Sequence, residues 1–283
     1  MKADTHKCKL LPLIQPLDFI PFFPGTPAMK DVASYRTNDT VSLVDEPQVR
    51  DIVAEAVLGL WDVVNSLTRL RPSQRDHYRV SLFGSARIQP GSFGYEETKR
   101  CAAALAKLGC DIITGGGPGL MQAANEGAAS VPGRAKSIGI RVDLPFEQEV
   151  NSFVGQAFEH RTFFTRLHQF VLVSDAFVVA PGGIGTVLET LMIWQLLQVS
   201  HLGDTPLILV GDMWPGLVDW ARKSMLASDP PLASPEDFDI PQCVSNVDEA
   251  ITLIREHNSK WRKEHAAKSN VKPRARKGKR RSG

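Results

Sequence analysis

The sequence predicts an α/β domain built on a doubly wound, mostly parallel sheet with helices on both faces. Three observations carry this prediction. Short apolar runs such as Asp111–Thr114, Ser137–Val142 and Ala176–Ala180 alternate with stretches of helical periodicity. The runs are apolar almost throughout rather than at every second position, as strands covered on both faces require. Three of them end in glycine-rich turns, at 84–87 (GSAR), 115–119 (GGGPG) and 181–186 (PGGIGT).

Taken in order, residues 1–45 are rich in proline and polar residues and read as an extended arm. An N-terminal helical segment follows over 46–78, opened by Glu46-Pro47 and closed by Arg71-Pro72. The main domain spans 79–258. Its first strand ends at Phe83. A helix over Glu96–Leu108 stops at Gly109, and the strand Asp111–Thr114 follows. Helix Leu120–Ala129 leads to strand Ser137–Val142, and helix Thr162–Val173 leads to strand Ala176–Ala180. Helix Val187–Val199, strand Pro206–Val210, helix Trp214–Leu226, strand Gln242–Ser245 and helix Val247–His257 complete the domain. Residues 259–283 read as a basic, disordered tail.

Composition sets the bounds. At 43% hydrophobic and 23% charged residues, the chain has the make-up of an ordinary globular protein. No apolar run reaches the ~18 residues of a membrane helix. Four cysteines without metal-ligand spacing point to the cytoplasm. The net charge of +2 hides an asymmetry: 11 Lys and Arg against one acid lie between Lys260 and Gly283, and the remainder is net acidic. The tail has no interleaved aromatics beyond Trp261, which argues against base-specific recognition of nucleic acid and favours a solvated terminus.

In an open parallel sheet, ligands bind beyond the carboxyl ends of the strands, where these glycine turns converge. Glycine lets backbone N–H groups approach an anion, and the following helix adds its positive end. This places a phosphate cradle at Gly182, Gly183, Gly185 and Thr186. Further substrate contacts are assigned to Gly84, Ser85, Gly116, Gly117 and Glu126, in and just after the other two turns. Neither GxxxxGK[ST] nor GxGxxG is present, which disfavours a P-loop nucleotidase and a dinucleotide site. Glu189 lies three residues beyond Thr186 among apolar neighbours and needs a partner if buried. Arg166 is the candidate. Arg161, five residues earlier, is turned about 140° away on a regular helix. His168 reads as an edge or core residue.

These residues resemble a known family. PGGIGTVLE (Pro181–Glu189) is similar to the PGGxGTxxE hallmark of the lonely-guy nucleoside 5′-monophosphate phosphoribohydrolases, whose members were often labelled "possible lysine decarboxylase". VSLFGSAR (Val80–Arg87), ITGGGPGLMQAANEGA (Ile113–Ala128), LPFEQ (Leu144–Gln148) and RTFFTR (Arg161–Arg166) resemble its longer bacterial branch. The resemblance implies a Rossmann-like fold, a homodimer or larger assembly, and no cofactor or metal. It implies hydrolysis of the N-glycosidic bond of a nucleotide such as AMP, with Arg166 and Glu189 as the catalytic pair. The family usually carries lysine after that arginine, and Leu167 stands here instead. The alternative is a nucleotide-binding or sensing protein of the same fold without turnover, which Leu167 favours; a third reading is a nucleic-acid-associated protein in which the basic tail dominates. Lysine decarboxylation would need a pyridoxal phosphate lysine, and Lys99, Lys107 and Lys136 have no motif context for one.

Overall fold

The computed structural model describes residues 46–67, 76–133, 135–142 and 150–269. The arm over 1–45, the LPFEQ segment and the tail beyond 269 lie outside them. The chain divides into two units, residues 1–65 and 66–283. Of the first, the helix α1 (Glu46–Leu67) is described. It begins where Glu46-Pro47 predicts, and residues 68–75 of the expected segment lie outside the described residues.

The second unit holds seven strands: β1 (Arg79–Phe83), β2 (Asp111–Thr114), β3 (Ser137–Val142), β4 (Gln156–His160), β5 (Ala176–Val179), β6 (Leu207–Val210) and β7 (Pro241–Val244). They form one sheet in the order β4-β3-β2-β1-β5-β6-β7, with every pair parallel. The helices are α2 (Phe93–Lys107), α3 (Leu120–Ala129), α4 (Phe163–Val173), α5 (Ile184–Gln198), α6 (Met213–Leu226) and α7 (Val247–Ser269).

The strands alternate strictly between two cores. Val80, Leu82, Ile112, Val178, Ile208 and Val210 face α2, α3 and α7. Phe83, Ile113, Phe177, Val179, Leu207 and Leu209 face α4, α5 and α6. Burial on both faces explains why the strands read as apolar runs without alternation. The doubly wound α/β fold expected from the sequence is the fold observed.

Three elements differ from the sequence reading. Strand β4 was not anticipated, because QAFEH sits at the sheet edge with four of its five residues exposed and offers no apolar run. A short 3₁₀ helix, Pro235–Asp239, was also missed. Helix α7 runs to Ser269, past the expected boundary at 258, so residues 259–269 are helix rather than disordered tail. Tertiary contacts hold this extension. Trp261 packs edge-on against Tyr78 with ring centroids 5.6 Å apart. Arg262 donates to the Leu108 carbonyl at the end of α2, and Lys260 pairs with Asp204. Among the described residues, no helix is long and apolar enough to cross a membrane.

The strand order reverses at β1 and β5, which lie side by side. A crevice forms at such a switch point, beyond the carboxyl ends of the strands. The turns after β1, β2 and β5 meet there. Ser85 N–H donates to the Pro181 carbonyl at 3.1 Å, and Leu120 N–H donates to the Ser85 carbonyl at 2.9 Å. Gly119 sits at φ +69°, and a Cβ there would lie 2.6 Å from the carbonyl carbon of Ala86. Only glycine lets the first two turns touch in this way.

Candidate active site

Arg166 and Glu189 come from different helices and meet over the crevice. Arg166 lies in the second turn of α4. Thr162 opens that helix by accepting a hydrogen bond from Thr165 N–H at 3.2 Å, which fixes its start where the sequence placed it. Arg166 and Phe170 share one helix face, with the guanidinium over the ring at 5.5 Å. Arg166 Nε donates to the Ile140 carbonyl at the end of β3 at 3.0 Å, and one terminal nitrogen reaches Glu189 Oε1 at 3.2 Å. Both side chains retain 11% of their exposure. Arg161 precedes the helix, is exposed and does not share this target.

Glu189 is buried on α5, one turn after Thr186. Burial pushes its carboxyl up to about 7, against the opposing pull of the Arg166 charge. Glu126 shows the opposite tuning. It faces α2, where Lys99 donates at 2.7 Å and Tyr95 at 2.7 Å, and the bond from Lys99 leads in holding its carboxyl below the usual range. Glu126 thus ties α3 to α2 and is not brought to the Arg166–Glu189 pair.

Gly183 caps α5 with extended backbone and without a side-chain cap, and Gly183, Ile184 and Gly185 are exposed. The first-turn N–H groups of a helix have no intrahelical acceptor, so this end offers donors to an anion. Thr186 is buried beneath them. A Cβ on Gly182 would lie 2.5 Å from Thr186 Cβ, so the chain can turn over the threonine only with glycine there. Gly84 packs against Leu120, and Ser85 is committed through its backbone to the other turns. Gly116 already donates its N–H to Thr114 Oγ1 at 2.9 Å, which leaves Gly117, half-buried, as the more open of that pair.

Leu167 is buried. His168 is half-buried, and burial lowers its pKa. Its Nε2 has no hydrogen-bond partner among the described residues. Reading the sequence alone missed the Ile140 carbonyl, Phe170, and the asparagines Asn125 and Asn151 behind the second glycine turn. A backbone acceptor leaves no sequence signal. Asn125 at least lies within the ANEGA segment that carries the resemblance. Among the described residues, no group of three or more His, Cys, Asp or Glu is placed to hold a metal.

Residues 121–254 match the family model described as "Possible lysine decarboxylase". This stretch is similar to that family. The match agrees with the resemblance carried by the motifs, and it takes in Arg166, the PGGIGT turn and Glu189. No curated protein matches the sequence. Among solved structures, the chain resembles the molybdenum cofactor binding protein of the phototrophic bacterium Rippkaea orientalis. The two are 20% identical, with a TM-score of 0.50 over 65% of this chain and 98% of that one. The molybdenum cofactor carrier protein of Chlamydomonas reinhardtii is 17% identical, with a TM-score of 0.49 over 65% of this chain and 99% of that one. At 20% identity the likeness to the first is one of fold alone.

Proposed function

We propose that this protein hydrolyses the N-glycosidic bond of nucleoside 5′-monophosphates, releasing the free base and ribose 5-phosphate. The observation that carries the reading is the buried Arg166–Glu189 pair, 3.2 Å apart, beside the uncapped amino end of α5. The substrate phosphate sits on the N–H groups of Gly183, Ile184 and Gly185, with Gly182 and Thr186 shaping the turn. As the C1′–base bond breaks, positive charge develops on the ribose. Ionised Glu189 stabilises it and takes a proton from the attacking water, whose oxygen bonds to C1′. The bonding electrons leave with the base, which picks up a proton. Arg166 holds the carboxylate in place and supports its charge. Phosphate binding positions the sugar, so monophosphates outrank nucleosides.

The test is base release from AMP, GMP, IMP, CMP and UMP beside the matching nucleosides. The expected result is release from monophosphates with little from nucleosides. Equal turnover of both would remove the phosphate cradle from the reading. A second reading, nucleotide binding without turnover, rests on Leu167. It predicts measurable monophosphate binding with no base released from any of the five.

The reading includes a homodimer. Ile184, Leu188 and Leu191 are exposed along one face of α5 at helical spacing, and Phe163 and Phe164 are exposed at the start of α4. Light scattering is expected to give twice the chain mass of 31.1 kDa. Leu188→Glu is expected to return it to the single mass, and a single mass for the unaltered protein would refute the pairing.

A further inference from the structure

The second glycine turn is held from behind by a closed ring of hydrogen bonds. Gly116 N–H donates to Thr114 Oγ1, and Thr114 Oγ1 donates to Asn125 Oδ1 at 2.6 Å. Asn151 Nδ2 approaches Asn125 Oδ1, the Gly116 carbonyl and the Gly117 carbonyl, each at 3.0 Å. Asn151 N–H also donates to the Gly116 carbonyl at 2.9 Å. Both backbone polar groups of Gly116, which sits at φ +73°, are therefore held by side chains, the N–H by Thr114 and the carbonyl by Asn151, and Asn125 ties those two together. Asn125 and Thr114 are fully buried. Buried amides are costly unless satisfied, and a satisfied network enforces one geometry.

The other side of this turn is the wall of the Arg166 slot. A Cβ on Gly115 would collide with the Arg166 guanidinium and lie 2.6 Å from Met121 Sδ. The opposite wall is β3, where Arg166 Nε binds the Ile140 carbonyl. The same network reaches that strand. Asn125 Nδ2 donates to Ser137 Oγ at 2.9 Å and approaches the Ile138 carbonyl at 3.5 Å. One cluster thus sets both surfaces between which the guanidinium lies before it meets Glu189.

We infer that Asn125 and Asn151 are positioning residues for the reaction, acting through the Gly115–Gly117 turn on the placement of Arg166 against Glu189. The inference rests on the proposed hydrolysis for its kinetic readouts. Asn151 is the residue to change, because it is only half-buried whereas Asn125 is fully enclosed. Asn151→Ala removes the clasp. Asn151→Asp turns a carboxylate oxygen toward three acceptor oxygens.

The expected result is a fall in kcat of about ten- to a hundredfold in both variants, as a displacement near 1 Å produces, with KM changed less than threefold. The acid limb of the pH–rate profile moves to higher pH as Arg166 loosens from Glu189. The Arg166 Nε–H signal in a nitrogen–proton spectrum shifts and exchanges faster with solvent. Asn258→Ala is the control. That buried asparagine binds Cys110 and Arg262 far from the crevice, so its loss lowers stability and leaves kcat unchanged. If Asn151→Ala fails to fold, Asn151→Ser carries the same readouts. An unchanged Arg166 Nε–H signal in a folded variant overturns the inference whether or not base is released. Absence of release by the unaltered protein defeats the proposed hydrolysis alone, and the spectrum still decides the positioning role.

Discussion

Glu189→Gln lowers kcat/KM for base release by about a thousandfold, the scale on which a positioned proton acceptor and charge stabiliser act together. Gln keeps the shape of the side chain and still accepts a hydrogen bond from Arg166, but it has no charge to set against the ribosyl cation. Monophosphate binding survives, because the donors at the amino end of α5 are untouched. The measurement is steady-state base release alongside calorimetric titration of AMP. A folded variant within threefold of the unaltered protein would take the carboxylate out of the reaction.

The second large effect is on pH. With its carboxyl pushed up to about 7, Glu189 is protonated over much of the mildly acidic range. If the ionised form is the working one, kcat/KM falls about tenfold per unit once the pH is well below 7, and it levels off above about 8. Arg166→Ala removes the charge that opposes the burial effect, so the limb moves further up in whatever activity remains. Stability runs the other way. The folded carboxyl holds its proton more tightly than an unfolded one, whose ordinary value is 4.5. This contribution is complete below about 4.5 and is lost as the pH rises through about 7. Relative to Glu189→Gln, the unaltered protein should therefore lose melting temperature between pH 5 and pH 8. A flat rate profile from pH 5.5 to 8 would contradict the tuned carboxyl.

Much of this was legible in the chain. Burial on both faces makes β1, β2, β5 and β6 continuous apolar runs, and their glycine turns advertise the crevice. Helical spacing and the PGGIGTVLE motif together bring Arg166 and Glu189 to the same end of the sheet. The missed features share a physical cause, which is that their energetics are tertiary. Strand β4 exists because β3 offers it an edge, not because QAFEH prefers to be extended. The last turns of α7 look like a solvated cationic terminus until Trp261 meets Tyr78 and Arg262 meets the end of α2. Asn151 reads as a loop residue, and only folding brings it under Gly116, 35 positions away. Glu126 shows the converse. Its place beside a glycine turn suggested substrate, but its neighbours across the helix pair, Lys99 and Tyr95, claim it.

The course of α7 separates two ends of the molecule. The helix, 23 residues long, starts just past the carboxyl end of β7 and by its middle stands near the start of β1, where Tyr78 binds His257 and meets Trp261 edge-on. A helix of that length spans about 34 Å. Lys260 and Arg262 therefore lie near the amino ends of the strands, at Asp204 and Leu108, away from the crevice at their carboxyl ends. A dye on Lys263 would sense polyanions without sensing nucleotides, and protein immobilised through that side would present its mouth outward.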